Sequence, residues 1–127
     1  MKKLLRTQKA VHAFHWREKR EVQPWFCEHP VVRINPKTKK EGLYINRMFT
    51  SRFCEMTAEE SAPLLNYLFD HMEDHKFTCR FEWSLGDVLI WDNRFTLHYP
   101  INDYHGHRRI MHRLTLKGDL PYLKVEK

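Results

Sequence analysis

The chain has no long apolar run. A membrane-spanning helix needs about 20 consecutive apolar residues, and no stretch of these 127 residues approaches that, so no membrane segment is expected. A secretory signal is not expected either, because the N-terminal 20 residues are basic and lack an apolar core segment. Cysteine is scarce. Cys27, Cys54 and Cys79 are an odd, scattered set without a Cys-x-x-Cys pair. That argues against a disulfide framework or a structural zinc site, and it predicts a reducing, cytoplasmic compartment. Internal repeats and low-complexity segments are absent. What remains fits one domain. With 42% hydrophobic residues, a chain of this length can bury about two-thirds of its unfolded surface.

The charge is uneven. Lys2, Lys3, Arg6, Lys9, Arg17, Lys19 and Arg20 face only Glu18 in the first 20 residues, which accounts for the whole formal net charge of +6. A basic segment of this kind can serve a nucleic-acid or membrane surface, or be a transit peptide. It can equally be the wet face of a helix. Leu4, Val11 and Phe14 recur at helix-compatible spacing, so the sequence predicts a docked basic helix over 2–17. Nucleic acid is not the expected partner.

A linker through Val22, Gln23, Pro24 and Trp25 follows. Strands are predicted near 31–34 and 43–46, with the turn-rich run Asn35 to Gly42 between them. A second helix starts at Thr57, where Thr57-Ala-Glu-Glu60 forms a capping-box pattern. Its apolar face is Leu64, Leu65, Leu68, Phe69 and Met72. His71 and His75 are four apart on it, a spacing compatible with a metal, but near a helix C-terminus they suit the helix dipole or solvent. Phe77, Cys79, Phe81 and Trp83 then alternate with polar residues, as in a half-buried strand. A turn at Leu85-Gly86-Asp87 leads into a further strand, 88–91.

Two later segments carry the candidate chemistry. Over 94–99, Phe95, Leu97 and Tyr99 share one strand face, and Thr96 and His98 the other. A neutral imidazole on a polar strand face is a transition-metal ligand type. Over 108–116, Ile110, His112, Leu114 and Leu116 share one face; Arg109, Met111, Arg113 and Thr115 share the other. Arg109 and Arg113 would stand about 13 Å apart, each able to grip its own carboxylate or sulfonate with a planar fork. A wet strand face is the plain alternative.

The motifs in this stretch resemble the taurine dioxygenase (TauD/TfdA) family of iron(II)- and 2-oxoglutarate-dependent oxygenases. The resemblance rests on Trp91-Asp-Asn-Arg, Thr96-x-His98-Tyr99, Asp103-Tyr104-x-Gly106, Arg108-Arg109-x-Met111-His112-Arg113 and Gly118-Asp119-x-Pro121. Upstream, His29-Pro-Val-Val-Arg33, Leu43-Tyr-Ile-Asn46, Phe49-Thr50-x-Arg52 and Gly86-Asp87-Val88 also look like family segments. Together they cover residues 28 to 122.

The resemblance implies a role for each matching residue. His98 is the distal iron-ligating histidine. Arg109 holds the far carboxylate of 2-oxoglutarate. Arg113 pairs with the anionic group of the substrate, a sulfonate in taurine enzymes, and Phe49 packs against that substrate. The implied reaction couples decarboxylation of 2-oxoglutarate to succinate with substrate hydroxylation. The implied fold is mainly β with accessory helices: the C-terminal half of a double-stranded β-helix (jelly roll). Residues 1–27 would form the basic helix and linker, and 28–127 the dioxygenase part.

One departure stands out. The family's facial triad takes its other histidine and its carboxylate from a His-x-Asp or His-x-Glu pair upstream of the distal histidine. This chain has no His-x-Asp, and its only His-x-Glu is His71-Met-Glu73. Residues two apart on a helix point about 200° around the axis from each other, so that pair could not chelate one ion. His12-Ala-Phe-His15 has no carboxylate at the needed offset. The expectation is a C-terminal fragment, inactive alone, with a complementary N-terminal half or a second copy of itself as partner. The alternative is a non-catalytic remnant, or an interaction module using the basic N-terminal helix.

Overall fold

The computed structural model describes residues 1–14 and 25–122. Residues 15–17 of the expected first helix, and Val22 to Pro24 of the linker, lie outside the described residues. Among those described, the chain is mainly β with few helices. The elements are α1 (Lys2–Leu5), β1 (Lys9–Phe14), β2 (Trp25–Pro30), β3 (Val32–Ile34), β4 (Glu41–Leu43), β5 (Thr50–Phe53) and α2 (Ala58–Met72), then a 3₁₀ turn at His75–Phe77. They form a three-stranded sheet in the order β2-β1-β5 and a separate β3-β4 pair, all antiparallel. Among the described residues no closed barrel is formed.

The expected basic helix over 2–17 is corrected. The helix stops at Leu5, and Lys9–Phe14 is the central strand of the larger sheet. Ala10, Val11, His12 and Ala13 are all buried, which a one-sided helix stripe cannot achieve. Pairing along both edges satisfies the backbone of β1 and outweighs the weak local helix preference. Two of the basic side chains are used in ion pairs: Arg6 forks onto Glu41 with its closest contact at 2.7 Å, and Lys9 reaches Glu28 at 3.6 Å. Because β1 pairs with β2, the larger sheet joins residues on both sides of position 27.

The β1–β5 register slips between Val11 and His12, leaving Ser51 as an extra residue whose hydroxyl donates to the Val11 carbonyl at 3.1 Å. The turn-rich run before Gly42 closes the β3–β4 hairpin. Asn35 Oδ1 accepts from the amides of Lys37 and Thr38, and Lys39 takes the positive φ of 59° that the reversal needs.

The second helix forms as expected, with Thr57 as its cap. Thr57 Oγ1 accepts from the Glu60 amide and the Glu60 carboxylate accepts from the Thr57 amide. Leu65, Leu68 and Phe69 enter the core with Leu5, Ala10, Val31, Val32, Ile45 and Phe53, while Leu64 and Met72 flank it. Ser61, fully buried, donates to the Thr57 carbonyl and accepts from the Phe53 amide, tying α2 to β5.

Residues 78–122 form neither helix nor strand. This corrects the strands expected at 77–83, 88–91, 94–99 and 108–116. Their apolar side chains are largely exposed: Ile90 at 89%, Leu114 at 96%, Leu116 at 92%. Alternation says which side chains would share a face. A strand also needs a neighbouring edge to take its N–H and C=O groups, and among the described residues none does so. The segment touches the folded body at a few points. Tyr122 O accepts from the Ile34 amide at 3.2 Å, and the Phe95 ring lies against Gly42.

Candidate functional site

The β1–β2 register sets His12 opposite Cys27 and Ala10 opposite His29, so His12 and His29 emerge on one face. Their rings meet edge to face, with centroids 5.0 Å apart. Tyr44, just beyond β4, joins them: its ring stacks on His12 at 5.7 Å and meets His29 edge-on at 5.3 Å. His12 Nε2 lies 3.5 Å from the buried Thr50 hydroxyl. Burial holds the His12 pKa down to about 4, with help from the His29 charge and against a backbone hydrogen bond at Tyr44. His29 is lowered too, by burial and by the charge of Arg33. Both rings are therefore neutral near pH 7.

Arg33 completes the cluster. It is 2% exposed, although it lies in the run Val31-Val32-Arg33-Ile34. Its guanidinium sits 4.8 Å from the Tyr44 ring centroid and 5.7 Å from that of Phe95. Its Nε and Nη2 have no hydrogen-bond partner among the described residues. In the sequence Arg33 stands out only as the end of the His29-Pro-Val-Val-Arg33 motif. The signal that could have found it is a lone charge inside four residues of otherwise β-branched strand.

The residues expected to carry the chemistry lie elsewhere. His98, Arg109 and Arg113 are exposed, in the segment without regular structure. His98 has the Trp91 ring at 5.4 Å, and the Arg109 guanidinium lies 5.2 Å from the Tyr104 ring. Among the described residues, no hydrogen bond, ion pair or ring contact joins His98, Arg109 and Arg113 to one another. Phe49 is half-buried in the folded body, beside β1: its amide donates to Asn46 Oδ1 and its carbonyl accepts from the Ala13 amide at 2.8 Å. Two clefts on the larger sheet, of about 270 and 390 Å³, are lined by other residues, Lys9, Glu28 and Cys54 in one and Val11, Phe26 and Arg52 in the other.

A facial iron site needs two imidazoles and a carboxylate. The expected ligand His98 would supply one imidazole, and among the described residues no three His, Cys, Asp or Glu side chains come together to hold an ion. His71 and Glu73 do not substitute, because Arg47 already holds the Glu73 carboxylate at 3.0 Å. The donors described here do not fit iron on their own.

The chain matches the family model of Taurine catabolism dioxygenase TauD, TfdA family over residues 1–115. It is 40% identical over 93 residues to an alkylsulfatase of Acinetobacter baylyi, an alignment covering 73% of this chain and 29% of that protein. It is 38% identical over 96 residues to an alpha-ketoglutarate-dependent sulfonate dioxygenase of Saccharomyces cerevisiae, covering 73% of this chain and 23% of that protein. The structure resembles that of a taurine dioxygenase from Burkholderia xenovorans with a TM-score of 0.64 and 34% identity, covering 73% of this chain and 31% of that one. The chain thus spans under a third of the length of these relatives. With a family match over residues 1–115, and relatives of this identity across nearly three-quarters of its residues, the chain belongs to the taurine catabolism dioxygenase TauD, TfdA family.

Proposed function

We propose that this chain is the C-terminal part of an iron(II)/2-oxoglutarate-dependent dioxygenase that hydroxylates a small anionic substrate of the sulfonate or sulfate-ester type. The observation that carries this reading is the shared chemistry of its relatives. An alpha-ketoglutarate-dependent sulfate ester dioxygenase of Pseudomonas putida, 39% identical over 94 residues, joins the sulfonate dioxygenase above. Residues 28–127 are taken as the dioxygenase part, in a jelly-roll frame to which this chain contributes the C-terminal half. His98 supplies one metal ligand. Arg109 anchors the far carboxylate of 2-oxoglutarate, Arg113 the anionic group of the substrate, and Phe49 packs against that substrate. Bound iron would supply the oxidising chemistry.

The remaining ligands come from a complementary N-terminal half carrying His-x-Asp. Exposed apolar side chains such as Leu114 and Leu116 support such pairing, since unpaired strand-forming segments accept a partner edge. The compartment is taken as cytoplasmic. No described helix is long and apolar enough to cross a membrane. The same exposed surface supports a second reading, a non-catalytic interaction module.

The test is succinate formation from 2-oxoglutarate with iron(II), ascorbate and taurine. The isolated chain is expected to give no more than its His98→Ala variant. Joined to an N-terminal half carrying His-x-Asp, it is expected to turn over. Arg109→Ala should then chiefly raise the KM for 2-oxoglutarate, and Arg113→Ala that for the prime substrate. Each loss should be at least about tenfold, because hydrogen bonds to charged groups are worth about 1.5–3 kcal/mol. Lysine should rescue neither, since it lacks the fork. Robust turnover by the isolated chain, or equal effects of both arginine variants on both substrates, would overturn the assignment.

A further inference from the structure

Arg33 carries a charge that its surroundings leave unanswered. A guanidinium does not shed its proton in a protein, so burial cannot neutralise it, and a charge buried without a partner is strongly unfavourable. Only 2% of the residue is exposed, and its Nε and Nη2 have no hydrogen-bond partner. These two atoms form one edge of the planar group. Their parallel N–H bonds match the two oxygens of one carboxylate.

The groups around Arg33 are aromatic. The rings of Tyr44 and Phe95 lie against the guanidinium, and His29 is near enough for the charge of Arg33 to help lower its proton affinity. The carboxylates on neighbouring segments are committed elsewhere. Glu41, opposite Ile34 in β4, is forked by Arg6. Asp92, in the turn before Phe95, holds Arg94 Nε and Nη2 at 2.8 Å, one on each oxygen. An acceptor for Arg33 therefore has to come from outside the described residues.

The cover over the guanidinium can yield to one. Phe95 belongs to 78–122, which forms neither helix nor strand. Its ring fits over the β3–β4 ribbon because the residue opposite Arg33 is Gly42, where a Cβ would stand 2.6 Å from the ring. A ring held by contact alone can swing aside for an incoming group, which the paired strands beneath it cannot.

We propose that the Nε/Nη2 edge of Arg33 is a binding site for one carboxylate, either a small free carboxylate or an aspartate or glutamate side chain of the complementary N-terminal half. The site itself does not rest on the reading of the chain as a dioxygenase fragment. Only the second source does, and the test uses no turnover.

The test follows the Arg33 Nε–H by NMR, assigned by its loss in Arg33→Lys, together with unfolding by urea. Formate, the smallest carboxylate, is titrated into the chain against sodium chloride of equal ionic strength. Formate should move the Nε–H saturably and slow its exchange with water, and chloride should not. At ten times its half-saturating concentration, formate should raise the folding equilibrium about tenfold. It should leave the Arg33→Met chain unchanged. If Arg33→Met does not fold, Arg33→Lys replaces it, and half-saturation should then need several-fold more formate, because lysine lacks the fork. The same titration on the chain joined to an N-terminal half carrying His-x-Asp separates the two sources. A side-chain carboxylate of that half would hold the Nε–H without formate and make it insensitive to formate. A site for a free carboxylate would still titrate. An Nε–H that responds neither to formate nor to the joined half, equal effects of formate and chloride, or the full formate effect in Arg33→Met would each overturn the proposal.

Discussion

Val32 in β3 and Leu116 in the 108–116 segment are both apolar residues in strand-forming sequence. Val32 is 7% exposed and Leu116 is 92% exposed. The difference is pairing. Val32 lies opposite Leu43 in the β3–β4 hairpin, closed by a turn of a few residues, whereas 108–116 has no partner edge among the described residues. The part of the chain whose strands find partner edges within it, near as in β3–β4 or distant as in β1–β5, is built. The part whose segments find none among the described residues is not, although its pattern is at least as regular. Local pattern sets side-chain direction, and non-local pairing decides whether the strand exists.

Core truncation should separate the two regions most. Phe53 is fully buried among Ala10, Val31 and Leu68, so Phe53→Ala should cost about 3–5 kcal/mol in urea unfolding. A loss under about 1 kcal/mol would mean that the body is not packed as described.

The next effect is acid lability of the body alone. The folded pKa of His12, about 4, lies below its ordinary 6.5. The unfolded chain therefore binds a proton that the folded chain refuses. Stability from this group is intact above about 6.5 and is lost as pH falls towards 4, by at most about tenfold in the folding equilibrium per pH unit. His12→Gln should flatten that window when unfolding is followed from pH 7 to 4. An unchanged slope would mean that another group dominates.

Smaller still is the cap. Thr57→Ala should cost about 1 kcal/mol, since it strips the Glu60 amide of its acceptor. At the bottom, Leu114→Ala should change stability by less than about 0.5 kcal/mol, because Leu114 is 96% exposed. A Leu114→Ala effect comparable with that of Phe53→Ala would erase the contrast between the regions.

The sequence was most legible where structure is local. The Thr57–Glu60 cap, the apolar face of α2 and the turn from Asn35 depend on residues within one or two turns of each other, and they form as read. Lys9–Phe14 was misread because Leu4, Val11 and Phe14 fit a helical period, while the fact that makes it a strand, burial between β2 and β5, lies far along the chain. The same limit applied to the candidate site. Arg109 and Arg113 were readable as a pair from alternation alone, yet alternation could not say what edge they would meet. Arg33 escaped notice because its burial comes from Tyr44 and Phe95, and Phe95 lies 62 positions away in the chain.

Amide hydrogen exchange on the chain, alone and with a complementary N-terminal half carrying His-x-Asp, tests this account most directly. Alone, amides of β1, β5 and α2 should be protected while those of 108–116 exchange nearly as fast as in an unfolded peptide. With the complementary half present, 94–99 and 108–116 should gain protection as they find partner edges. Protection of 108–116 in the isolated monomeric chain, or no change when the other half is added, would contradict the account.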